Sequence, residues 1–345
     1  MGARGIAKTL LWRFVRHSGL AGLARRRRRR QLLVVTYHGV LRQTHGSFLN
    51  RNCVSVELFR QQVAYMKRHY RLLGVGEALQ ALQGAGLPPS SALITFDDGF
   101  RNNYELALPV LREAGVPAVV FVATGMLDRP GALPWVEEVS AMIVRGQARQ
   151  LRLRTESVSF ELELDSAAAR RQASNRVRGY MKLAASDERE ALLGQLREQS
   201  PIAADSYEQE RFAFMNWEQA REMIAGGVAI GSHTVGHYCV ASLSDEELRH
   251  ELATSKERIE QQTGQPCTAF AYPDGSPRSF GERDKRQLRE LGFHGAFSQL
   301  PGYNAPGRDA FELRRFNVPG GGADLSTFVA TISGMRGMLQ QTGPR

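Results

Sequence analysis

The stretch 92–100, ALITFDDGF, ends an apolar run on two adjacent carboxylates, Asp97 and Asp98, followed by Gly99. Neighbouring like charges repel, and each is costly to take out of water without a partner. Either both face solvent in a turn, or a cation meets them. Outward from this stretch the chain carries further short apolar runs: LLVVTYHGV (32–40), AVVFVAT (118–124), VAIGS (228–232), TAFAY (268–272), HGAFS (294–298) and RRFNV (314–318). Segments of helical character separate them. Ser55 precedes VELFRQQVAYMKRHY, where Leu58, Val63 and Met66 have helical spacing. A short helix is expected over 76–83, another over 102–115 ended by Gly115 and Pro117, with Pro109 as a potential kink, and another over 216–227. Ser244 and Glu247 form a capping box at the head of a long helix; 281–292 and 324–335 supply the last two. Short strands alternating with helices imply an α/β fold with a parallel sheet, and seven or eight strands suit a closed or nearly closed barrel. The alternation breaks at 134–214, which reads as a mostly helical insertion with a hairpin near 151–164.

The 345 residues carry 45 Lys+Arg against 35 Asp+Glu, an excess of ten. Residues 1–30 hold Arg4, Lys8, Arg13, Arg16 and Arg25 to Arg30, ten basic groups and no acid. The remainder, 31–345, is therefore neutral overall, and the basic character belongs to an N-terminal arm. No window approaches a membrane span. The arm lacks an uninterrupted apolar core, so it is not read as a secretory signal, and Ile6 stands where a myristoylation signal wants Ser or Thr. Ile6, Leu10 and Phe14 share a helical row beside Leu11 and Val15, which suggests contact with an anionic membrane surface. A disordered, solvated arm is the alternative; nucleic acid ranks last, because the body has no basic excess. Three cysteines, Cys53, Cys239 and Cys267, describe no disulfide framework. A reducing location follows, cytoplasmic or peripheral on the inner face of a membrane.

In barrels of this kind reactive groups collect where strands end. His38, Asp97 with Asp98, His233 with His237, and Tyr272 with Asp274 all fall at predicted strand ends. The spacing of His233 and His237, taken as a helical turn, puts both imidazoles on one face. With one aspartate they form a set suited to Zn²⁺ or Fe²⁺, and the second aspartate is left as a base beside a metal-bound water. Cys239 is expected to be a buried thiol rather than a ligand. His17, His45, His69, His250 and His294 join no constellation.

TFDDG, then SHTVGH, then FAYPDG, in this order, resembles the polysaccharide deacetylases of carbohydrate esterase family 4 over about 31–320. YHGV (37–40) further resembles the branch acting on exopolysaccharides such as poly-N-acetylglucosamine. The resemblance implies a distorted (β/α) barrel of about seven strands that removes acetyl groups from an acetylated saccharide or polysaccharide. It implies Asp97 as base and Asp98, His233 and His237 as ligands of a divalent ion, Zn²⁺ foremost, with Co²⁺, Mn²⁺, Ni²⁺ or Fe²⁺ as alternatives. It also implies the Asp274 backbone N–H as an oxyanion donor. Two departures stand out. Ala271 occupies the place of an arginine that orients the base, and no late Leu-x-His motif supplies a general acid. His38 is the candidate proton donor. Arg315 is a candidate replacement arginine, with a surface charge as the preferred reading. The alternatives to an enzyme are a non-catalytic saccharide-binding relative and a tethered scaffold acting through the arm.

Overall fold

The computed structural model describes residues 3–44, 52–127, 129, 133–202, 211–320 and 323–336, with side chains of the first helix from Leu10 on. His45, the side chains of Ile6 and Lys8, and residues 203–210 of the insertion lie outside the described residues.

Seven parallel strands carry the fold: β1 Leu33–Tyr37, β2 Ser91–Phe96, β3 Ala118–Val122, β4 Val228–Ser232, β5 Ala269–Ala271, β6 Gly295–Phe297 and β7 Phe316–Asn317. They lie in the order β6-β5-β4-β3-β2-β1-β7, with the two-residue strand Arg71–Leu72 pairing beside the start of β2. Pairing of β1 with β2 runs in register from Leu33 opposite Ala92 to Tyr37 opposite Phe96. The sheet curls into a half-barrel, the distorted (β/α) barrel that the resemblance implied. Its two edges share one segment. Leu313 bridges to Phe297 on β6, and Asn317 then pairs with Thr36 on β1.

Alternation sorts the strand residues onto two faces. Ala92, Ile94 and Phe96 join the core beneath the outer helices, with Val35 and Tyr37 of β1. Val34, Leu93, Val119, Phe121, Ala269, Ala271, Phe297 and Leu313 form the inner cluster, against which the short helix Val75–Gln80 packs Ala78 and Leu79. The inner face turns polar toward the strand ends, where the hydroxyls of Thr36 and Thr95 lie 3.0 Å apart.

Two additions frame this barrel. The segment between β3 and β4, where an insertion was expected, contains the helix Trp135–Arg145, the antiparallel hairpin Gln150–Arg154 with Ser159–Glu163, and the helices Ala167–Met181 and Ser186–Gln199. Leu151, Leu153, Phe160 and Leu162 on the hairpin's buried face meet Val139, Val177 and Leu193 from the helices, a core separate from the barrel's. The N-terminal arm is not disordered: α1 Ala3–His17 and α2 Leu20–Arg27 are helices. Trp12 and Val15 bury against Ala330 of the helix Leu325–Ile332, and the Arg28 guanidinium donates to the Ser333 carbonyl at 2.8 Å. Burial of these groups explains why the arm folds against the barrel despite its charge. Among the described residues no helix is long and apolar enough to cross a membrane.

Candidate metal and catalytic site

The carboxyl ends of the strands open into a cleft of about 370 Å³. Asp97 continues the inner face of β2, in step with Leu93 and Thr95, and its N–H donates to the Tyr37 carbonyl at 2.9 Å. The chain then turns. Asp98 and Gly99 both take left-handed conformations, φ 76 and 84, and a Cβ on Gly99 would lie 2.9 Å from a methyl of Val122. The turn reading of Asp-Asp-Gly and the site reading are thus the same geometry: the turn aims the two carboxylates in different directions.

Asp98 faces the histidines. Its Oδ1 lies 3.1 Å from Nε2 of His237 and 3.6 Å from Nε2 of His233. One donor atom from each of Asp98, His233 and His237 lies within 4.8 Å of the others. The expected helical turn is corrected. Residues 233–239 form a loop, in which Thr234 and His237 have φ of 69 and 59. The loop is held by Glu251, whose carboxylate accepts from Val235 N–H at 2.7 Å and Gly236 N–H at 2.9 Å.

The donor set fits a cation. His233 Nδ1 lies 2.7 Å from the Ala271 carbonyl, an acceptor only, so Nδ1 carries the hydrogen and Nε2 presents a lone pair. Burial lowers the His233 pKa to about 4 against the pull of Asp97, so the ring is neutral at pH 7. A lone pair then faces a carboxylate oxygen, an approach that a shared cation makes favourable.

Asp97 is held from the other side. Arg315 donates to Oδ1 at 2.7 Å and to Oδ2 at 2.8 Å, and Gln299 Nε2 adds a bond to Oδ2 at 2.8 Å. Arg315 is 0% exposed and also donates through Nε to the Ser298 carbonyl at 2.9 Å, which corrects the surface-charge reading. Burial pushes the Asp97 carboxyl up, but Arg315 and the nearby histidines outweigh it and hold the group below the usual carboxylate range. Burial likewise opposes ionisation of Asp98, and the hydrogen bond and charge of His237 more than offset it.

The remaining expectations divide. His38 lines the cleft, its carbonyl accepting from Asn103 Nδ2 at 2.7 Å. Asp274 lines it too, in a left-handed conformation with φ 64, its carboxylate paired with the Lys182 ammonium. Tyr272 does not: it is 0% exposed, stacks on Phe280 and donates its hydroxyl to the Phe311 carbonyl at 2.9 Å. It shares the outward face of Phe270, which takes its side chain into the core under the helices. Cys239 is buried, as expected, with its thiol 3.5 Å from the Ser279 carbonyl.

Sequence reasoning missed Gln299, Glu251 and Lys182. Gln299 follows β6 and was open to the strand-end rule. Its placement depends on Gly275, φ 57, where a Cβ would lie 2.6 Å from the Gln299 nitrogen. No local signal marks Lys182, which the insertion brings to the cleft from the end of Ala167–Met181.

A half-barrel whose strand ends gather an Asp/His/His donor set beside a second, arginine-held aspartate defines a class of α/β protein with a metal-capable centre. The polysaccharide deacetylase family model matches residues 85–162 and 191–296, just over half of the chain, and the chain belongs to that family. YxkH of Bacillus subtilis, a polysaccharide deacetylase by name, is 28% identical over 119 residues, which span 34% of this chain and 41% of that relative. The solved structure of the Streptococcus pyogenes deacetylase PplD in complex with acetate matches with a TM-score of 0.58 at 18% identity, covering 91% of this chain and 99% of that one. IcaB from Ammonifex degensii matches with a TM-score of 0.55 at 21% identity, over 88% of this chain and 96% of that one. At these identities the structural likeness is one of fold.

Proposed function

We propose that this chain is a metal-dependent hydrolase that removes acetyl groups, N-acetyl foremost, from a saccharide or polysaccharide such as a poly-N-acetylglucosamine. The observation that carries the reading is that the two aspartates of one cleft have separate partners: Asp98 has His233 and His237, and Asp97 has the buried Arg315. Asp98, His233 and His237 would hold the divalent ion, Zn²⁺ foremost, with Co²⁺, Mn²⁺, Ni²⁺ or Fe²⁺ able to use the same donors. A bound ion supplies Lewis acidity, activating water and polarising the acetyl carbonyl. Asp97 accepts the proton of the attacking water. Arg315 and Gln299 fix its orientation, and Oδ1, which accepts from Arg315, keeps a second lone pair for the proton. The Asp274 N–H is assigned to the oxyanion, its residue steadied through the Lys182 pair. His38 is assigned the proton for the leaving amine. Three buried, unpaired thiols suit a reducing location, cytoplasmic or at the inner face of a membrane.

The non-catalytic alternative rested on two departures, the missing arginine at Ala271 and the missing Leu-x-His motif; Arg315 on Asp97 answers the first, and the second leaves His38 as the assigned donor for experiment to test. Acetate release from a panel of acetylated saccharides, with metal content measured on the same sample, tests the proposal. Release should stop on chelation and return with added divalent metal. Full metal occupancy with no release from any saccharide would instead favour a binding protein.

A further inference from the structure

We infer that α1 and α2 form a docking surface for an anionic lipid bilayer, independent of the chemistry in the cleft. The large apolar side chains left exposed among the described residues all fall on these two helices: Leu10 at 59%, Leu11 at 40%, Phe14 at 61%, Leu20 at 40% and Leu23 at 47%. At about 100° per residue, Leu10, Phe14 and Leu11 occupy one side of α1. Trp12 and Val15 lie further round the helix, centred about 120° from that stripe, and are buried against Ala330. The exposed stripe is therefore not the face that holds the arm to the barrel. It is a second apolar face on a helix whose first is already satisfied.

Charge selects the partner. Arg13 and Arg16 on α1, Arg26 and Arg27 on α2, and Arg29 and Arg30 just after it are exposed, and residues 1–30 contain no acid. A second copy of the chain would bring two such faces together and oppose like charges. A nucleic acid would satisfy the arginines and leave the apolar stripe in water. An interface with anionic headgroups over acyl chains satisfies both sets at once. The position leaves the cleft open. α2 ends at Arg27 and leads directly into the amino-terminal end of β1, whereas the cleft lies at the carboxyl ends of the strands.

The full chain should co-sediment with vesicles containing phosphatidylglycerol, bind pure phosphatidylcholine vesicles far less, and be released by salt. Replacing Leu10, Phe14 and Leu23 together with Ser should cut partitioning by more than about tenfold. Replacing Arg26, Arg27, Arg29 and Arg30 with Gln should do the same on anionic vesicles. Far-ultraviolet circular dichroism unchanged from the parent chain shows that either variant is still folded. Equal binding to both vesicle types, binding to neither, or unchanged partitioning of both folded variants overturns the inference. So does a wild-type dimer, seen by light scattering, that L10S/F14S/L23S converts to monomer while vesicles are ignored.

Discussion

Arg315 and Asp97 stand 218 residues apart and meet through two hydrogen bonds, 2.7 and 2.8 Å, with both side chains essentially sealed from water. The contact exists because the segment that carries Arg315 leans on both edges of the half-barrel. Leu313 pairs with β6 and Phe316 with β1, so the side chain between them enters the interior above Phe121. A guanidinium matches a carboxylate with two parallel donors, which fixes the plane of the carboxylate as well as its charge.

Breaking one side of this pair leaves a buried charge alone. Arg315→Met should therefore destabilise the fold by about 3–5 kcal/mol, and Arg315→Lys should recover only part of that, because an ammonium cannot make both bonds. The double variant Arg315→Met with Asp97→Asn should be more stable than Arg315→Met alone. Urea denaturation of the four proteins checks this. Equal stability of wild type and Arg315→Met would show that the pair is solvated.

Glu251 holds the loop between His233 and His237 by accepting two backbone N–H groups at 2.7 and 2.9 Å. Partners that orient ligands typically change metal affinity by about 10–100-fold when removed. Glu251→Ala should weaken divalent-metal binding by about tenfold, measured by competition with a chelating dye, while the far-ultraviolet circular dichroism stays that of the parent chain. Unchanged affinity would mean that the loop holds its shape without the carboxylate.

The three cysteines should be slow to react. Burial pushes the Cys239 thiol up to about 11 and the Cys267 thiol up to about 12, and the thiolate is the reactive form. At pH 7 the native protein should label slowly with iodoacetamide, and all three cysteines should label after denaturation. Rapid labelling of Cys239 in the native state would place it at the cleft as a reactive group.

Strand alternation and strand ends made much of the candidate site legible, and the failures have separate causes. Asp97 and His38 continue the inner parity of β2 and β1. The same parity places Arg315 inside, in step with Leu313, and Tyr272 outside, in step with Phe270. Two adjacent arginines in a polar segment hide that pattern, since either can serve as a surface charge. His233 and His237 converge as their spacing suggested but by a different route, because two left-handed residues and Glu251 fold the loop back. Lys182 reaches the cleft only through tertiary structure, whereas Gln299, just past the end of β6, was open to the strand-end rule. Lys182, Gln299, His38 and Arg315 also lie outside the residues that the family model matches.

The two adjacent aspartates should separate by experiment as they do in space. Asp98 lies 3.1 Å from His237, within the donor set, and Asp97 lies under Arg315 and Gln299. Asp98→Asn should lose most bound metal, with some turnover returning at high metal concentration, because a neutral amide is a weaker ligand than a carboxylate. Asp97→Asn should keep its metal and lose about 10²–10⁴-fold in kcat, the usual worth of a positioned base. The Asn side chain can still accept one bond from Arg315 through its carbonyl oxygen, but its amide nitrogen then faces a second guanidinium donor. Some loss of stability should therefore accompany the loss of rate, and the two must be measured separately. Elemental analysis and acetate release on both variants decide the assignment. If added metal rescued Asp97→Asn, while Asp98→Asn kept its ion and lost turnover, the two roles would be exchanged. If both variants retained full activity, neither aspartate would be a ligand or a base, and Arg315 would be a structural clamp on a buried turn.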